Sequence, residues 1–121
     1  MTFGQMVLVF KEDWELDANF EKLLDAFVLE RNFIVHRITA EEGYGVRSAQ
    51  QRRKLNARLG KFIDQTFLMS KFFHGAYLAS NEFARDMVKR EQVIDIPLEI
   101  PEEWIERRDM FLALARYKHD A

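Results

Sequence analysis

Residues 48–93, SAQQRRKLNARLGKFIDQTFLMSKFFHGAYLASNEFARDMVKREQV, decide the fold. Leu55, Leu59, Ile63, Phe67, Phe72, Ala76, Ala79, Phe83 and Met87 recur at helical spacing and outline one apolar side. A long helix from about Ser48 to Val93 follows. Gly60 and Gly75 interrupt it. Each costs about 1 kcal/mol relative to alanine in a helix interior, so each marks a bend, a break, a close approach or simple tolerance. Upstream, Phe20, Leu23, Leu24, Phe27 and Val28 repeat in the same way behind Asp17, an N-cap candidate, with Glu21 placed to suit the helix dipole. That pattern runs into Glu30-Arg31-Asn32 and Phe33 to Ile38, and Thr39 to Gly45 reads as a loop. The run Met6 to Phe10 is too short for its period to decide between strand and helix. A lone strand lacks a partner, which favours helix. Downstream, Pro97 and Pro101 force Asp95 to Pro101 to be largely extended. Pro101 then opens a last helix at its first position, with Glu102 and Glu103 in the first turn and Arg116, Lys118 and His119 in the last. The expected fold is all-α, a small bundle of four or five helices. It forms one helical domain over residues 1–121.

Composition agrees. Hydrophobic residues make up 48% and charged residues 31%, the balance of a globular domain rather than a disordered tail. Cysteine is absent, which excludes disulfide scaffolds, thiol catalysis and cysteine zinc sites. The 11 Phe, 3 Tyr and 2 Trp imply a dense core, with apolar area left over for a second subunit. The five-residue apolar run at Met6 is halted by Lys11-Glu12-Asp13. It is too short for a signal peptide, and no stretch approaches the roughly 20 apolar residues of a membrane span. A cytoplasmic protein without a membrane partner is expected. The formal net charge of −2 hides an acid-free interval from Tyr44 to Ile63 that holds Arg47, Arg52, Arg53, Lys54, Arg58 and Lys61. Such an interval suits a phosphate backbone or an acidic partner; its plain alternative is a solvated helix face.

The string Arg31-Asn32-Phe33-Ile34-Val35-His36 carries the chemistry. It resembles the motif of the HEPN superfamily, small all-helical domains found in RNA-cleaving toxins and defence proteins. Their signature is Arg, a polar residue, a short apolar run and His near a helix junction. The resemblance covers about residues 17–90. It implies a metal-independent endoribonuclease of a toxin or defence system, with a homodimer as the working form, because the motifs of two subunits commonly meet across an interface. Arg31, Asn32 and His36 would be its catalytic set, with no cofactor and no metal. Many members carry Tyr two residues beyond the His; Ile38 stands there, so no Tyr-dependent switch is expected. The residue types suit the reaction. Histidine titrates near neutrality and can take the 2′-hydroxyl proton or protonate the leaving oxygen. Arginine's planar fork meets the charge that develops on phosphorus. On one continuous helix Asn32 and His36 share a face, while Arg31 lies about 140° round from His36. The plain alternative is an Arg paired with an acid and a structural His.

Other constellations are weaker. Glu102, Glu103, Glu106 and Asp109 are one helical turn apart, as in Mg²⁺-dependent hydrolases, but no second acidic helix matches them. His74 reads as core or interface, and His119 as a terminal residue without a role. Two further function classes stand beside the nuclease. One is a non-catalytic interaction module of the same fold, binding a protein partner or antidote through an aromatic surface at Phe67, Phe72, Phe73 and Tyr77. The other is a small helical subunit of a nucleic-acid-associated or viral assembly.

Overall fold

The computed structural model describes residues 2–38, 40–41, 43–92 and 101–119. Helix α1 (Phe3–Asp13) leads into strand β1 (Trp14–Leu16) and helix α2 (Ala18–His36). A loop then reaches the long helix α3 (Ala49–Gln92), and helix α4 (Glu102–Leu114) runs directly into strand β2 (Ala115–Tyr117). The chain is mostly helical, with four helices among the described residues. Met6 to Phe10 is helical, as expected. The extended reading of Asp95 to Ile100 and the side chains of Phe83 and Met87 lie outside the described residues.

Local chemistry sets the helix ends. Thr2 and Gln5 form a reciprocal capping box at α1, with Gln5 N–H donating to Thr2 Oγ1 at 3.1 Å and Thr2 N–H to Gln5 Oε1 at 2.8 Å. Asp17 accepts from the Phe20 N–H at 3.0 Å and caps α2. Ser48 accepts from the Gln51 N–H at 3.1 Å where α3 starts. Pro101 is the N-cap of α4 rather than its first helical residue.

A two-stranded antiparallel sheet ties the two ends of the chain together. Trp14 pairs with Tyr117, Glu15 with Arg116 and Leu16 with Ala115. The ladder is extended by Asp17 N–H to Leu114 O at 2.7 Å and Lys118 N–H to Asp13 O at 2.8 Å. The sheet corrects two expectations. The fold is not purely helical, and Arg116, Lys118 and His119 lie beyond α4 instead of closing its last turn. Arg116 pairs across the strands with Glu15, and His119 Nε2 lies 3.0 Å from Asp13 Oδ1.

The core is aromatic. Phe20, Phe27, Phe72 and Phe111 are buried together with Leu24 and Met69, and Phe3, Phe10, Phe62 and Phe73 pack against them. Phe72 contacts Phe10, Phe20, Phe73 and Phe111 with ring centroids 4.3–6.0 Å apart. It is fully buried, so it does not belong to the aromatic surface expected from the sequence; Phe67 and Tyr77 do. One bundle therefore absorbs most of the phenylalanines. The stripe that α3 turns inward is Phe62, Met69, Phe72, Phe73 and Ala76, while Ile63 and Phe67 face out. Neither glycine breaks α3. Gly75 is the close approach: a Cβ there would stand 2.1 Å from the Arg107 carbonyl oxygen of α4. Gly60 has open space around it.

Candidate functional site

Helix α2 is continuous through the motif and ends at His36. One helix and one short strand precede it. Its inner face is set by Phe20, Leu24 and Phe27, and His36 lies about 180° round from Phe27, on the outer face. Asn32 and His36 are both exposed there, one turn apart. Among the described residues neither side chain makes a hydrogen bond, and His36 makes no ion pair. Leu29, 72% exposed, stands on the same face one turn before Asn32. It borders a shallow apolar groove of about 460 Å³ between α1 and α2, lined by Val7, Leu8, Asp25 and Val28 among others. Leu8 on the other side of that groove is 65% exposed.

Arg31 goes elsewhere. Its guanidinium lies 5.5 Å from the centroid of the Phe3 ring, at an apolar hollow lined by Phe27, Val35, Phe62, Met69 and Phe73. One copy of the chain thus brings Asn32 and His36 to a common face and leaves Arg31 on another, as the helical spacing requires. Ile38, two residues past His36, is buried.

The basic interval divides into two groups. Arg58 is held from within. Its Nε donates to Glu30 Oε1 at 2.7 Å, Nη2 to Glu30 Oε2 at 3.1 Å and Nη1 to Tyr44 Oη at 2.9 Å. The guanidinium carbon stands 4.0 Å from the Phe33 ring centroid and 5.2 Å from that of Tyr44. The Glu30 hydrogen bonds, helped by Tyr44 and opposed by burial, hold Arg58 well above its ordinary pKa. Arg52 donates from Nη1 to the Val46 carbonyl at 2.9 Å while remaining exposed. Lys54 lies 4.6 Å from the Tyr44 ring centroid. Arg47, Arg53 and Lys61 are exposed, and among the described residues they pair with no carboxylate.

The Arg58 fork was not legible in the sequence, because Glu30 is 28 residues away. It fixes the last turns of α2, which end at His36, to the first part of α3. His74 is partly buried, with Nδ1 2.9 Å from Arg107 Nη1 and its ring edge-on to Trp104 at 5.1 Å. Among the described residues no group of three His, Cys, Asp or Glu side chains is placed to hold a metal ion, and no helix is long and apolar enough to cross a membrane. Compared with family models, curated proteins and solved structures, the chain matches none.

Proposed function

We propose that this helical domain is an RNA-binding, metal-independent endoribonuclease of the kind its Arg-Asn-x3-His motif resembles, working as a homodimer. The observation that carries the reading is the exposure of Asn32 and His36, one turn apart and, among the described residues, without a hydrogen bond. An exposed imidazole without a protein partner among the described residues is open to a phosphate or to a second subunit. Leu29, two turns before His36 on the same face of α2, and Leu8 across the groove on α1 suit a second copy. Pairing there brings two His36 side chains together, one to take the 2′-hydroxyl proton and one to protonate the leaving 5′-oxygen. Arg47, Arg53, Lys54 and Lys61 supply the phosphate contacts that track the strand. Arg31 would reach the scissile phosphate by leaving the Phe3 ring, a contact worth about 0.5–1 kcal/mol at an exposed site.

A second reading has its own support. Arg31 packed on Phe3 is what a structural arginine looks like, and in that case the outer face of α2 is a non-catalytic docking surface for a protein partner. Incubation of the purified protein with total RNA in EDTA separates the two. Cleavage that leaves 2′,3′-cyclic phosphate and 5′-hydroxyl ends supports the nuclease. RNA left intact at every protein concentration hands the fold to the interaction module.

A further inference from the structure

Between α2 and α3 lies a cleft of about 580 Å³, lined by Ala26 and Glu30 from α2, by Tyr44, and by Lys54, Ala57, Arg58, Lys61, Phe62 and Gln65 from α3. Its size falls within the range of small-molecule sites, about 300–1,000 Å³. We propose that this cleft binds a nucleoside monophosphate, either free or as the phosphorylated end of an RNA strand. The inference extends the RNA-binding reading above but does not depend on cleavage.

The charge of the cleft carries the first step. Among the described residues Glu30 is the one carboxylate in its wall, and Arg58 engages both of its oxygens. That pair cancels, and among the described residues Lys54, which lies over the Tyr44 ring, and Lys61 meet no carboxylate; they stand two helical turns apart on the same side of α3. They flank Arg58, within the combined reach of two flexible four-carbon stems, and a phosphate is the ligand that two such ammoniums accept.

The shape carries the second step. Ala26 and Ala57 are small, so the two helices leave room between them. The Phe62 ring forms the inner wall and is fixed in a parallel stack on Phe27, centroids 5.3 Å apart. Tyr44 is fixed at the mouth by Arg58 and by edge contact with Phe33 at 6.2 Å. Rigid aromatic walls favour a flat ring, and base–aromatic stacking is worth about 1–3 kcal/mol per base. The polar groups complete the match. Because Tyr44 Oη accepts from Arg58, its own hydroxyl hydrogen is left to donate. The Gln65 amide offers a donor and an acceptor side by side, which is the complement of a base edge. A phosphate at Lys54 and Lys61 and a base against Phe62 use every uncompensated group in the cleft.

The test is calorimetric titration of the whole protein with AMP, adenosine, inorganic phosphate and a 5′-phosphorylated tetraribonucleotide. AMP or the tetranucleotide should bind at least tenfold more tightly than adenosine or phosphate alone. Binding of AMP identifies the free nucleotide as sufficient, and binding of the tetranucleotide only identifies the strand end. Lys61→Ala should weaken that binding about tenfold. Ala57→Leu, a good helix former that fills the cleft, should abolish it with no loss of melting temperature. The proposal is overturned if neither phosphorylated ligand binds, if phosphate alone binds as well as AMP, or if Ala57→Leu binds normally. A protein that binds AMP and leaves all RNA intact retains the cleft and loses the nuclease; one that cleaves RNA with an inert cleft does the reverse.

Discussion

At the scale of single residues, Arg58 and His36 illustrate opposite fates for side chains that the sequence marks as functional. Arg58 has two carboxylate oxygens and a phenol within hydrogen-bonding distance and two aromatic rings beneath it. It is therefore a clamp between α2 and the start of α3 and not a free phosphate ligand. The pair is partly buried, with side-chain exposures of 30% and 27%. Charge-assisted bonds in such a setting are worth about 1.5–3 kcal/mol. Arg58→Met should lower stability by about 1–3 kcal/mol in urea, and Glu30→Gln by somewhat less. A double-mutant cycle should return a coupling of at least about 1 kcal/mol, and additive losses would show that the fork does no more than a surface pair. The six basic residues of the interval were legible as a group, but their division was not. Which of them meets Glu30 depends on how α2 crosses α3, and local sequence does not carry that information. The placement of Arg31 and His36 was legible, since a continuous helix fixes their separation around its axis.

Among the elements, α3 makes the sharpest statement through its two glycines. Gly75 exists for contact, because any Cβ collides with the Arg107 carbonyl of α4. Gly60 meets nothing. Gly75→Ala should therefore force α4 outward and cost about 1–3 kcal/mol or more, while Gly60→Ala should add about 0.4–1 kcal/mol by restricting the unfolded chain. Thermal unfolding of the two variants should shift in opposite directions; a common direction would mean that α4 does not seat against Gly75. The sequence identified both glycines as points of interest without separating them, since the difference lies in what α4 brings alongside. The existence of α2 and α3 was legible through the apolar period and the Asp17 cap, and that of α4 through Pro101 and its acidic first turn, while α1 was favoured only because a lone strand lacks a partner. The two strands were not. Three residues are too few to show an alternating period, and each strand finds its partner about a hundred positions away. The basic residues after α4 imitate a helix end because the dipole and a sheet edge both tolerate exposed cations. The inward face of α3 was also misjudged in part. Ile63 and Phe67 fit the helical spacing but lie outside the stripe that meets α2 and α4.

For the molecule as a whole, the aromatic core leaves exposed apolar area and unengaged polar side chains together on the outer face of α2 among the described residues. Leu29 carries no folding burden at 72% exposure, so Leu29→Glu should change stability by no more than about 0.5 kcal/mol. It should nonetheless convert a homodimer to monomer in sedimentation and remove RNA cleavage. A Leu29→Glu protein that remains a dimer would move the interface to another face, and a wild-type protein that sediments as a monomer at micromolar concentration would contradict the homodimer. The nuclease reading rests on His36, and cleavage of a reporter RNA in EDTA by wild-type protein and by His36→Ala tests it, with melting temperature and RNA affinity measured on the same samples. Wild type should cut the RNA, and His36→Ala should lose this activity by at least about a hundredfold, the low end of what a proton-transfer group contributes. Melting temperature and affinity should stay within error, because the side chain is exposed and makes no hydrogen bond or ion pair among the described residues. A His36→Ala protein that cuts as well as wild type, or one that melts markedly lower while wild type leaves the RNA whole, would contradict it.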